Sequence, residues 1–306
     1  MSKAAFDPRS LDIFILTLQR AIMKSVLRLL FGVLLTFTAS AETLTIIGSG
    51  TVSTAITPAI EEFKKTSGIE VNLQPLPSVK GIFGVAEGQA QIGLTIEDVS
   101  DAQRQLYPAV DFHSTTLGRG AIYLLVSPDV WEAGVHALSR EQVVSIIQKK
   151  AGNWKVLGGP DVPITFIPPQ GGSRANFGNW LYGKSTPEFS AKMKSLEVGW
   201  DSISARAGNV GLGHGVLAAL SEHFRPGGSK GHKLAILTPD GPVEATAANV
   251  SDGRYPMSFN LQAITSGPPQ GMTKKAIEFL LSEKAQALIE AEGYARIRAP
   301  SQKESK

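Results

Sequence analysis

An α/β protein with parallel sheets covered on both faces is predicted by three observations. Short apolar strands alternate with amphipathic helices, turns rich in glycine and hydroxyl side chains open several of those helices, and the length accommodates two domains. The chain has 306 residues, 42% hydrophobic and 19% charged, with a formal net charge of +3. That composition belongs to a soluble globular protein rather than to a disordered or fibrous one. Lys and Arg are scattered rather than gathered into a basic stripe with interleaved aromatics, which argues against nucleic acid as a partner. The sequence contains no cysteine. Thiol catalysis, Cys-ligated zinc, disulfides and lipid attachment through an N-terminal cysteine are thereby excluded.

At the N-terminus, Met23-Lys24 and Arg28 precede the apolar run Leu29 to Phe37 and then Ala39-Ser40-Ala41. Basic region, apolar region and A-x-A site together read as a secretory signal peptide over 23–41. The run is too short to span a bilayer, which takes about 20 apolar residues. Residues 1–22 read as an upstream extension with Met23 the expected initiator, the mature chain is expected to start at Glu42, and the periplasm is the expected location.

Leu44 to Ile47 reads as a strand, Gly48-Ser49-Gly50-Thr51 as a turn, and Ile56, Ile60 and Phe63 as one face of a helix. A second strand centres on Val71 to Leu73, with Pro75 and Pro77 ending it before a turn at Ser78 to Gly84. Ala90 to Thr95 is a third strand. Ala121 to Val126 is a continuous apolar run, expected as one buried strand leading into a second lobe. Ser139 and Gln142 have capping-box spacing for a helix through Ile147. Pro163 to Ile167, the turn Gly171-Gly172-Ser173 and a helix around Phe177 to Tyr182 follow. Gly211 to Gly215 is expected as a tight crossover between lobes, with His214 a turn residue. Ile277, Phe279, Leu280, Leu281, Ala285, Leu288 and Ile289 outline a C-terminal amphipathic helix pair over Lys274 to Gly293. The expected division is 42–125 with 238–306 as one lobe and 126–237 as the other.

Three turns are the candidates for chemistry: Gly48 to Thr51, Ser78 with Gly81, and Gly171 to Arg174. The first N–H groups of a helix have no partner within the helix and carry about half a positive charge, so a helix opened by glycine and hydroxyl residues suits an anion. Each turn is also an ordinary N-cap; it is their number in one α/β chain that points to an oxyanion. Arg119 and Arg174 are the cations placed near them. Gly178 to Ser185 fits the phosphate-loop pattern G-x-x-x-x-G-K-[ST], yet Phe177, Trp180 and Leu181 share a helix face that Gly183 would end, so a capped helix is predicted instead. The five histidines have no H-x-x-x-H or H-E-x-x-H spacing, no G-x-S-x-G elbow occurs, and the glycines at 208, 211, 213 and 215 do not fit G-x-G-x-x-G. Neither a metal nor another cofactor is expected.

Taken in order, Ile47-Gly48-Ser49-Gly50-Thr51, Gly88 to Thr95, Leu138 to Gly159 with Asn153-Trp154 and Leu157-Gly158-Gly159, Asn249 to Pro256, and Phe279 to Ser282 through Gly293-Tyr294 give the chain its kinship. It resembles the phosphate-binding periplasmic components of phosphate ABC transporters over nearly all of the mature length. The resemblance implies a two-lobed periplasmic binding protein fold of type II, hinged between lobes, with the ligand in the cleft. It also implies contacts from Ser49, Gly50, Thr51, Ser78, Thr95, Gly172, Ser173 and Arg174. At two positions the chain departs from the family: Ile96 stands for its carboxylate and Ile167 for its arginine. Arg174 or Arg119 is the candidate replacement for the cation, and Glu97 or Asp98 for the acceptor.

The function expected is capture of a small oxyanion, phosphate foremost, for an inner-membrane ABC transporter permease, by a monomeric protein that is not an enzyme. The alternatives are a divergent paralogue with another ligand or a sensor role, and a periplasmic phosphoester hydrolase, for which the sequence offers neither metal ligands nor an activated nucleophile.

Overall fold

The computed structural model describes residues 43–169, 173–183, 186–195, 213–220 and 231–297. The expected signal peptide and Gly172 lie outside the described residues, as do Gly211 and Leu212 of the expected crossover. Among the described residues no helix is long and apolar enough to cross a membrane.

The first unit is β1 (Leu44–Ser49), α1 (Gly50–Ser67), β2 (Val71–Leu76), α2 (Ser78–Ala86) and β3 (Ile92–Thr95). Val52, Ala55, Ile56, Ala59, Ile60 and Phe63 form the buried stripe of α1, and Gly68 ends that helix at φ 70°. Strand β2 continues through Pro75 rather than stopping before it. It is an edge strand, where the missing N–H costs no ladder bond.

The expected parallel sheets prove to be mixed. One five-stranded sheet has the order β2-β1-β3-β12-β4, where β4 is Phe112–Ala121 and β12 is Ser258–Ser266. In it β1 runs parallel to β2 and β3, while β12 is antiparallel to both β3 and β4. A four-stranded sheet has the order β7-β8-β5-β9, with β5 at Tyr123–Val126, β7 at Thr165–Ile167, β8 at Val216–Leu220 and β9 at His232–Lys233. A small third sheet joins β6 (Ala137–Ser139), β10 (Ala235–Thr238) and β11 (Gly241–Val243).

The apolar run from Ala121 is therefore two strands. It breaks at Ile122, whose N–H bonds to Met257 O at 3.0 Å, and on either side of that residue the chain serves different sheets. The hairpin β10–β11 pairs with β6, so the return to the first sheet falls after Val243 rather than at 238. Gly215 leads into β8, and its carbonyl accepts the indole N–H of the fully buried Trp154 at 2.9 Å. His214 is an exposed turn residue 3.6 Å from Asp129.

Shorter helices are α3 (Asp101–Leu106), before β4, and α4 (Pro128–Glu132) and α5 (Arg140–Ile147), after β5, the last with the expected Ser139–Gln142 capping box. Helix α6 (Ser173–Tyr182) ends at Gly183, φ 75°, whose N–H bonds to Asn179 O at 2.8 Å; the phosphate-loop match is a capped helix. After it come α7 (Pro187–Ser195) and α8 (Ala247–Ser251). The C-terminal pair is α9 (Gly271–Leu280) and α10 (Glu283–Ala291), packed on α1 with the Phe63 and Phe279 rings 5.5 Å apart. Leu281 caps α9 and faces solvent instead of joining its apolar face.

Helix α2 lies unusually close to the sheet. A Cβ on Gly81 would sit 2.6 Å from Leu94 O and 2.8 Å from Ile47 O, both of them main-chain atoms that cannot rotate away. Gly81→Ala is therefore expected to cost about 1–3 kcal/mol by overpacking. A thermal melt read by circular dichroism should show a fall of several degrees, and an unchanged midpoint would refute the close approach.

Candidate functional site

Parallel pairing brings three strand ends together. Ser49 pairs with Leu76 on one side and lies one residue beyond the Gly48–Leu94 pair on the other. Ser49 and Thr95 therefore end adjacent strands, about 5 Å apart in the pairing direction, and Ser78 opens α2 two residues after Leu76. Ser49, Ser78 and Thr95 are buried, Thr51 is partly buried, and Gly50 is exposed.

The hydroxyls differ in what they have left to offer. Ser49 caps α1 by accepting from Val52 N at 3.4 Å, which leaves its own hydrogen uncommitted among the described residues. The Ser78 hydroxyl is not used as a cap, because Pro77 holds that position. Thr95 departs from expectation: its hydroxyl donates to Glu97 O and accepts from Glu97 N, each at 2.9 Å, so a local turn consumes it.

The first turn of α6 reaches this region from the second sheet. Asn176 donates to Ile96 O at 3.5 Å, bringing the buried Ser173 at the head of α6 towards the residue after Thr95. Helices α1, α2 and α6 have no acidic residue in their first turns, whereas Asp101, Glu141 and Glu283 occupy that position in α3, α5 and α10. The ends of α1, α2 and α6 are thus without an internal counter-charge, as are those of α8 and α9.

Next to the strand ends lies a cavity of about 630 Å³. Ile96, Glu97, Asp98 and Ser100 form one wall, Arg119 with Ser258, Phe259, Asn260 and Gln262 form the floor, and Ala175, Asn176 and Asn179 of α6 face them, with Gly253 at the margin. Arg119 is held by two bonds, from Nε to Asn260 Oδ1 and from Nη1 to Ser251 O, both 3.1 Å. Gly253, at φ 72°, allows this, since a Cβ there would stand 2.3 Å from Nη1. Asp98 accepts from the buried amide of Gln262 at 2.8 Å. Burial holds the Glu97 carboxyl above its ordinary range.

Arg119, Glu97 and Asp98 therefore share one cavity, whereas Arg174 sits partly buried at the second position of α6 and is not among the lining residues. Ile96 and Ile167 are both buried apolar positions. Sequence reading missed Asn176, Ser258, Asn260 and Gln262. The last three alternate along β12 with the buried Phe259, Leu261 and Ala263, a period-two signal that was present to be read. Among the described residues no group of three or more His, Asp or Glu could hold a metal ion.

Comparison with known proteins places the chain. A family model described as a PBP superfamily domain matches residues 36–284. The phosphate-binding protein PstS of Bacillus subtilis is 29% identical over 262 residues, covering 83% of this chain and 81% of that protein. Among solved structures, an ABC-type phosphate transport receptor from Vibrio cholerae superposes with a TM-score of 0.64 at 22% identity, over 83% of this chain and 99% of the other. A chain from Clostridium perfringens, provisionally assigned to phosphate ABC transport and solved with phosphate bound, gives 0.63 at 23% identity over 84% and 100%. These structures share the two-lobed α/β fold, and with the family match spanning most of the sequence, the chain belongs to the PBP superfamily.

Proposed function

We propose that the protein captures a small oxyanion, phosphate or a monosubstituted relative, by closing two lobes over it. It delivers the ligand to an inner-membrane ABC transporter permease, acting as a receptor and not as an enzyme. The observation that carries this reading is the convergence of the α1 and α2 N-termini, with their Ser49 and Ser78 hydroxyls, on the ends of β1 and β3, where the first turn of α6 reaches Ile96 through Asn176. The phosphate-binding names of the relatives support it. The lobes divide at Ile122 and after Val243, where the chain changes sheets. The N-terminal segment 23–41 acts as a signal peptide that sends the protein to the periplasm.

Arg119 supplies the positive charge that Ile167 does not. It stands in the cavity with its guanidinium already oriented by Asn260 and Ser251, so little ordering remains to be done when a ligand arrives. Glu97 and Asp98 give the wall hydrogen-bond acceptors in place of Ile96. A wall of that kind favours ligands with a hydrogen to donate over fully deprotonated sulfate. The buried Ile96 and Ile167 also support a second reading, a paralogue that serves a sensor rather than a permease; its mark would be tight ligand binding without stimulation of transport.

Calorimetric titration of ligand-stripped protein with phosphate and sulfate is the direct test, with phosphate expected to bind at least tenfold more tightly. Silence toward both would overturn the reading. A charge-assisted bond contributes about 1.5–3 kcal/mol, so Arg119→Gln should weaken phosphate binding by about 10- to 100-fold. The combined variant Ser49→Ala, Ser78→Ala, Ser173→Ala should lose measurable binding while keeping its circular dichroism spectrum.

A pH effect on stability also follows. Because burial raises the Glu97 carboxyl, the folded state binds the proton more tightly than the unfolded chain, and Glu97 lowers stability as pH rises from its ordinary value of 4.5 through the raised one. Unliganded Glu97→Gln should therefore melt above the wild type at pH 7, with the difference disappearing by about pH 4. Parallel melting curves across that range would refute the burial argument.

A further inference from the structure

Ser49, Ser78 and Ser173 do not line the cavity, so the oxyanion reading engages it through Arg119 and leaves most of it unused. A volume of about 630 Å³ belongs with sites for small organic molecules, which run to about 300–1,000 Å³. A tetrahedral oxyanion needs only the space of a few waters, each taking about 30 Å³ in the liquid. The excess volume lies next to the strand ends, since Ile96 follows Thr95 directly and Ala175 stands two residues after Ser173.

The walls of this extra space have a definite chemistry. Arg119 is its cation, while Asn176, Asn179 and Asn260 contribute amides and Glu97 and Asp98 contribute carboxylates. Asn260 and Asp98 are occupied, by Arg119 and Gln262 respectively. No side-chain hydrogen bond or ion pair engages the Glu97 carboxylate among the described residues. A half-buried carboxylate facing a cavity without a partner carries a desolvation penalty that a cationic donor would offset. A bare oxyanion beside it would meet a like charge instead.

We propose that the ligand is an oxyanion bearing a short substituent that ends in an ammonium group, a phosphonate or phosphomonoester of an alkyl amine. The oxyanion sits at the strand ends and the ammonium on Glu97. The proposal rests on the oxyanion reading of the same site and names the ligand class within it.

The test compares three probes by calorimetry on the full, ligand-stripped protein: inorganic phosphate, ethylphosphonate and 2-aminoethylphosphonate. The amine is expected to bind at least tenfold more tightly than ethylphosphonate, its counterpart lacking the amine, and more tightly than phosphate. In Glu97→Gln the ratio of the two phosphonate affinities should fall to near one, and in Glu97→Asp it should be partly retained. Equal affinity of the two phosphonates in the wild type would overturn the proposal, and so would an amine preference that survives in Glu97→Gln. Either result together with phosphate binding leaves the oxyanion reading standing, whereas silence toward all three probes overturns both.

Discussion

Everything at the candidate site depends on how closely helix α2 can approach the sheet. Gly48, Gly81 and Gly93 leave no side chain between the helix and β1 and β3, and a Cβ at any of the three would meet main-chain atoms at under 3 Å. Because backbone packs on backbone here, the start of α2 is drawn to the ends of β1 and β3. Ser78 thereby joins Ser49 and Thr95 instead of standing one side-chain layer away. A looser contact would leave the same residues in the same elements and scatter the hydroxyls.

The same economy holds for charge. Ile96 and Ile167 are buried and apolar, yet the cavity holds both acceptors and a cation. Glu97 and Asp98 follow Ile96 along the chain. Arg119 arrives from β4, two strands away from β3, because β12 lies between them and offers Asn260 to hold it. Gly253, in the segment preceding β12, leaves the room that the guanidinium needs. The cation and the acceptors thus come from opposite sides of β12, and β12 aligns them.

The crossings between sheets are tied together rather than left as independent linkers. Ile122 in one bonds to Met257 in the other, and Tyr123 and Tyr255 pack with ring centroids 5.9 Å apart. The Lys233 ammonium lies 3.7 Å from the centre of the Tyr123 ring, and burial pushes the Tyr123 hydroxyl up to about 12. A cation over an aromatic face is attracted by the ring quadrupole. This packing joins the two crossings side by side.

Local signals carried much of this protein. The strand-turn-helix opening at Leu44 to Phe63, the Ser139–Gln142 cap, the Gly183 helix end and the C-terminal helix pair are each set by periodicity, capping chemistry or glycine conformation within a few residues, so the sequence alone determined them. It also marked Ser49, Ser78 and Ser173 as helix-opening hydroxyls. Which strands pair was beyond it, because pairing joins residues distant in the chain, more than a hundred positions apart where β12 meets β3 and β4. The antiparallel insertion of β12 between β3 and β4, the break at Ile122 and the continuation of β2 through Pro75 were therefore decided by tertiary structure. So were the spending of the Thr95 hydroxyl on its own turn and the gathering of Glu97, Arg119, Asn176 and Gln262 around one cavity. Spacing along the chain records what a residue can do, but only the packed fold sets which groups are neighbours and which hydrogens remain to be given.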